Sequence, residues 1–127
     1  RDFVTKTDKR VEKILIEELM KSKKNFSFIT EESGKILNKN KNVFWIIDPI
    51  DGTRAFVIGA PTWSNLISLS YHDESILGLA NFPELNKYYI NNKTNSYVFK
   101  NNKRFVLRSS NNDNLKTIKI HCLFQAL

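Results

Sequence analysis

A single cysteine, Cys122, cannot form a disulfide within the chain, which excludes a stapled extracellular scaffold and favours a reducing compartment. Histidine is almost as scarce. His72 and His121 have no metal-like or triad-like neighbourhood, and His121 and Cys122, adjacent on an extended segment, would face opposite ways. Four glycines and three prolines leave no Walker-type loop, no dinucleotide fingerprint and no flexible linker, so residues 1–127 read as one domain. The longest apolar run, Val43-Phe44-Trp45-Ile46-Ile47, has five residues against the roughly 20 needed to span a bilayer. No membrane segment is expected, no secretion signal follows Arg1, and a cytoplasmic protein is the expectation. The start at Arg1 and the stop at Phe124-Gln125-Ala126-Leu127 both look like cuts.

What the chain does have is charge. Its formal balance is +7, which would attract nucleic acid or phosphorylated metabolites. The lysines, however, are scattered through connections such as Leu37-Asn38-Lys39-Asn40-Lys41-Asn42 and Asn91-Asn92-Lys93-Thr94-Asn95, without interleaved aromatics. A solvated surface is expected, with no nucleic-acid partner. The sequons at Asn25 and Asn92 carry no weight without secretion.

Hydrophobic periodicity divides the chain into a helix and a series of strands. Asp8 to Lys21 carries Val11, Ile14, Leu15 and Leu19 at helical spacing, with Asp8 as candidate cap. Phe26 to Ile29 and Val43 to Ile47 read as strands, and Arg54 to Ile58 as a turn of helix stopped by Gly59 and Pro61. Leu66 to Tyr71, Ile76 to Asn81, Tyr88 to Ile90, Tyr97 to Phe99 and Arg104 to Leu107 follow, separated by turn-rich pieces. Such an order predicts an α+β domain, a helix packed on an antiparallel sheet. Trp45 and Trp63 are expected to be packing residues.

The hexapeptide Asp48-Pro49-Ile50-Asp51-Gly52-Thr53 sits directly behind the apolar run. Pro49 and Gly52 stop the strand from simply continuing, so a turn there can bring Asp48 and Asp51 to one side. Glu31, followed by Glu32, also lies just past a predicted strand. If the two strands are neighbours, Glu31, Asp48 and Asp51 converge at one sheet edge. Three carboxylates so placed require a cation, and oxygen ligands without histidine or cysteine favour Mg²⁺, Mn²⁺ or Ca²⁺. The Ile50 carbonyl is a further candidate ligand. Gly52 and Thr53 open a short helix whose N–H groups suit phosphate. Together these residues describe phosphoryl transfer to a metal-activated water, with Thr53 orienting the water and Glu31 holding the first ion or taking the proton. The competing reading makes Asp48 a turn cap, Asp51-Gly52 a turn pair and Glu31-Glu32 a solvated loop. Spacing alone leaves both open.

The segments Trp45 to Thr53, Phe28-Ile29-Thr30-Glu31-Glu32-Ser33-Gly34 and Asp2-Phe3-Val4-Thr5-Lys6-Thr7-Asp8 resemble, in order, three motifs of the inositol monophosphatase family, Mg²⁺-dependent and lithium-sensitive phosphatases. Thr30 stands where glycine is commoner. The resemblance implies the N-terminal half of a layered sandwich and a small phosphorylated metabolite as substrate. It implies Glu31, Asp48 and the Ile50 carbonyl on a first Mg²⁺, and Asp48 and Asp51 on a second. Glu31, Ile50, Asp51, Gly52 and Thr53 would line the substrate phosphate, with Glu31 and Thr53 activating water. Asp8 falls at a family position supporting the water network or a third ion. Arg54 through Ile67 is similar to the histidinol-phosphatase branch, making histidinol phosphate the expected substrate and inositol-1-phosphate the alternative. The family's second signature, a Trp-Asp pair in a C-terminal domain, is absent. A truncated non-catalytic remnant or interaction module therefore stands as a further alternative. Better-known members are dimers, so a homodimer is compatible.

Overall fold

The computed structural model describes residues 6–108. The Asp2 to Thr5 part of the Asp2 to Asp8 motif, His121 and Cys122 lie outside the described residues.

Helix α1, Lys6–Ser22, is rich in Lys, Glu, Leu and Ile, all tolerant of helical backbone, and exposed pairs Lys13–Glu17 and Lys21–Glu18 lie at helical spacing. It ends where Ser22 Oγ donates to Leu19 O and the Lys23 N–H also returns to Leu19 O. Asp8 is not its cap. The helix begins at Lys6, so Asp8 sits inside the first turn, 2% exposed. The apolar stripe is also less buried than its spacing predicts: Ile14 is 49% exposed, and the two buried side chains of α1 are Asp8 and Glu12, one turn apart.

Eight strands form one sheet: β1 Phe26–Thr30, β2 Gly34–Ile36, β3 Asn40–Asp51, β4 Ser64–Tyr71, β5 Glu74–Phe82, β6 Lys87–Asn92, β7 Ser96–Lys100 and β8 Lys103–Leu107. Their order is β2-β1-β3-β4-β5-β6-β7-β8. From β3 onward this is the predicted antiparallel meander. The purely antiparallel expectation fails at β1 and β3, which pair in parallel, because the short strand β2 turns the chain back along the outer side of β1 before β3 enters on its inner side. The result is an α+β arrangement on a mixed sheet. Two-residue hairpin loops at His72-Asp73 and Asn101-Asn102 take positive φ at both positions, as right-handed strand twist requires.

Helix α1 lies across β3 and β1. Phe28, Val43, Ile47 and Ile50 are the buried apolar residues there, with Ser27 buried beside them and satisfied by the Asn40 carbonyl and the Asn38 N–H. Trp45 is half-buried and packs at a tilt on Phe26, with ring centroids 6.4 Å apart. Its buried indole N–H finds no acceptor among the described residues. No helix among the described residues is long and apolar enough to cross a membrane.

Candidate active site

Parallel pairing makes β1 and β3 finish at the same end. Thr30 is the register partner of Ile47, and the Glu31 N–H donates to the Ile47 carbonyl at 3.2 Å. Glu31 and Asp48, the next residue on each strand, therefore emerge side by side. Glu31 is exposed, whereas Asp48 is half-buried near Ile46 and Leu66, at the wall of a concavity of about 840 Å³. That setting raises the Asp48 carboxyl from its usual 3.8 to about 7. Burial is the largest cause, followed by Glu31, close enough to take a hydrogen bond from the protonated form and to repel the ionised one. Asp51 adds repulsion, and the Ile50 backbone pulls the other way. Asp48 Oδ1 is buried, and no donor among the described residues reaches it. Glu32 is likewise pushed above the usual carboxylate range, first by burial and then by Asp8, Glu31 and Glu12, with Lys9 opposing.

Beyond Asp48 the strand bulges before pairing resumes at Asp51 and Ser64. The bulge is held from β4 and β5. Asn65 Nδ2 donates to the Pro49 carbonyl at 2.7 Å, and Asn81 Nδ2 fixes Asn65 by donating to its Oδ1 at 3.0 Å. Buried Ser64 donates to Asp51 Oδ2 at 3.2 Å. Gly52 then takes a left-handed conformation, φ 82° and ψ 43°, which reverses the chain into helix α2, Thr53–Val57. Thr53 Oγ1 donates to the Ile50 carbonyl at 3.1 Å.

Of the expected site residues, the structure brings Glu31 and Asp48 together and sets the Ile50 carbonyl, Gly52 and Thr53 on the adjoining turn. It does not gather Glu31, Asp48 and Asp51 into one cluster. Among the described residues no three acidic, histidine or cysteine side chains lie close enough to hold a metal. A bulge separates Asp48 from Asp51, the last residue of β3, and Ser64 engages the Asp51 carboxylate. Asp8 lies buried on α1, close enough to repel Glu32. Sequence reasoning missed Glu12, whose carboxylate accepts the Glu32 N–H at 2.9 Å and the Ser33 hydroxyl. Its one signal was the i,i+4 spacing from Asp8, an acidic pair on one helical face. Ser64 and Asn65 gave no comparable signal.

The donors fit a hard divalent cation. Two carboxylates, one with a buried unpartnered oxygen and an affinity for protons far above normal, are short of positive charge, and the Ile50 carbonyl retains a second lone pair beside the one Thr53 uses.

A family model described as the inositol monophosphatase family matches residues 1–125. The chain is 40% identical over 88 residues to the Nus factor SuhB of Haemophilus influenzae, covering 69% of this chain and 33% of that protein. It is 31% identical over 88 residues to the inositol-1-monophosphatase of Mesorhizobium japonicum, with the same coverage. Among solved structures, the IMPase of Thermotoga maritima superposes with a TM-score of 0.70 at 33% identity, over 86% of this chain and 41% of that one. The chain spans about a third of the length of the curated relatives it matches. Matched over nearly its whole length, the chain belongs to the inositol monophosphatase family.

Proposed function

We propose that this chain carries the N-terminal, metal- and phosphate-holding part of a Mg²⁺-dependent hydrolase of inositol phosphates. The observation that carries the reading is the side-by-side emergence of Glu31 and Asp48, with Asp48 Oδ1 buried and unpartnered. When bound, Mg²⁺ would supply Lewis-acid stabilisation and lower the pKa of water. The rest falls to the chain's own groups. Glu31, Asp48 and the Ile50 carbonyl would hold one cation, and Asp48 with Asp51 would contribute to a second. The Thr53 hydroxyl donates its hydrogen bond to the Ile50 carbonyl. Its lone pairs are thereby left to accept from a water O–H and to aim that water's oxygen at phosphorus. First-turn N–H groups of α2, from Thr53 onward, would donate to a phosphate oxygen.

Histidinol phosphate gives way to inositol phosphate as the substrate. The curated relatives quoted above are named SuhB and inositol-1-monophosphatase. The segment that suggested histidinol phosphate also has another use: Phe56 and Trp63 pack edge to face, 5.1 Å apart, securing α2 to the chain that follows. A single cysteine supports a cytoplasmic setting.

Phosphate release with Mg²⁺ tests the proposal, using the 127-residue chain and the same chain extended to the length of its relatives. The extended chain is expected to hydrolyse inositol-1-phosphate faster than histidinol phosphate, and to lose that activity with Asp48→Asn. Preference for histidinol phosphate, or turnover unaffected by Asp48→Asn, would overturn it.

A second reading, an interaction module without turnover, has two supports: the Nus factor name of several relatives and the +7 charge. It predicts salt-dependent association with RNA or DNA and weak, single-site Mg²⁺ binding.

A further inference from the structure

We propose that Glu12 is a positioning residue for Glu31, acting through the turn that follows β1. This rests on the reading that Glu31 serves the metal site. Glu12 is 2% exposed, and a glutamate is almost never so buried unless its charge is engaged. Both of its oxygens are used. Oε2 accepts the Glu32 N–H at 2.9 Å, and Oε1 accepts the Ser33 hydroxyl.

The consequence for Glu31 is geometric. Its own N–H is bonded to Ile47 on β3, and the next N–H along the chain is bonded to Glu12 on α1. The φ and ψ of Glu31 lie between those two anchors, so an exposed side chain with little packing of its own still leaves the backbone in one direction. Thr30 completes the turn, its Oγ1 accepting the Ser33 N–H at 3.2 Å and donating to the Gly34 carbonyl at 3.3 Å. Without Glu12, the turn keeps its link to β3 and its internal closure but loses these two bonds to the helix.

A carboxylate is a costly choice for this task, because buried Asp8 lies one turn earlier on the same helix. What Glu12 offers is two acceptors in one plane. Glutamine can replace it: the amide oxygen takes the Glu32 N–H, and the amide nitrogen donates to Ser33 Oγ, which has lone pairs to accept. Alanine can do neither.

Mn²⁺ binding to the 127-residue chain, read from the loss of free-ion paramagnetic resonance signal, separates the possibilities. Wild type is expected to bind, Asp48→Asn to lose binding, and Glu12→Ala to bind about 10-fold more weakly, the scale of lost outer-sphere support. Glu12→Gln should stay within about 3-fold of wild type, a rescue set by shape and not by charge. Unchanged affinity in a natively folded Glu12→Ala, or equal weakening in Glu12→Gln, overturns the proposal. Should Glu12→Ala not fold, Ser33→Ala decides: it removes one of the two contacts, weakened binding supports the proposal, and wild-type affinity refutes it. Asp48→Asn keeping wild-type affinity, or wild type failing to bind, would instead refute the metal-site reading beneath it.

Discussion

Thr30 and Ile47 are partners across the parallel pair β1 and β3, and the Glu31 N–H closes that pairing on the Ile47 carbonyl. Neighbouring strands are about 4.8 Å apart, so the residues that follow, Glu31 and Asp48, start from backbones nearly in contact. An antiparallel pairing of the same two strands would have sent them to opposite ends. The small strand β2 is what prevents this, by returning the chain so that β3 enters in the direction of β1.

Because the folded state holds Asp48 in surroundings that resist its ionised form, Asp48→Asn is expected to stabilise the metal-free chain at pH 8. Solvent screening limits the gain to about 1 kcal/mol, a rise of roughly 4 °C or more in melting temperature at this size. The same substitution should weaken Mn²⁺ binding by more than about 10-fold. Melting in EDTA together with Mn²⁺ titration checks both signs; an Asn variant that melts lower than wild type at pH 8 sinks the electrostatic account.

The pH dependence follows with a definite sign. Unfolding returns the Asp48 pKa from about 7 to 3.8, so between those values the folded chain binds more protons than the unfolded one. The stability that Asp48 contributes is therefore greatest near pH 4, falls as pH rises towards 7 and then levels off. Read as wild type minus Asp48→Asn in EDTA, the melting difference should be near zero at pH 4 and most negative at pH 8. Cation binding competes with the proton, so Mn²⁺ affinity should climb through pH 6 to 7. A difference that is flat over this range would remove the basis for both expectations.

The hexapeptide Asp48 to Thr53 announced itself in the sequence because its chemistry is local: proline and glycine mark the turn, and the acidic side chains and hydroxyl lie within one short segment. Pairing is not local. Alternation marked Phe26 to Ile29 and Val43 to Ile47 as extended, but nothing in either run states whether they lie parallel. Strand β2 was hidden because Gly34-Lys35-Ile36 is three residues long and mostly exposed, and its pattern is that of a loop. The burial of Glu12 ran against the periodicity, which assigned that role to Val11, Ile14, Leu15 and Leu19; Ile14 is half exposed, and Glu12 instead meets the N–H of Glu32 and the hydroxyl of Ser33. Asp51 was placed with Asp48 from spacing; it lies near enough to repel the Asp48 carboxylate, but a bulge separates the two in the strand and the Ser64 hydroxyl engages Asp51.

Gly52 is required for its backbone and not for its size. A Cβ there would meet Trp63 Cα at 3.6 Å, an ordinary contact, but φ is +82°. Gly52→Ala should therefore cost about 1 to 2 kcal/mol through strain, and Gly52→Asn less, since asparagine visits this region readily. Denaturant titration of the two variants checks the order. Equal losses would mean that the cost is steric, and the space around Gly52 would need another description.

Thr53 separates packing from chemistry. Thr53→Val keeps the shape and deletes the hydroxyl, leaving the Ile50 carbonyl without that donor at a folding cost of about 1 kcal/mol. In the chain extended to the length of its relatives, the same variant should lower kcat by about 100-fold, the usual scale for losing a group that handles the proton of an attacking water, with little change in KM. Thr53→Ser retains the hydroxyl and should keep most of the rate. If valine turns over within about threefold of wild type, or serine fails as badly as valine, the hydroxyl is not what aims the water, and the role of Thr53 reduces to holding the turn at Ile50.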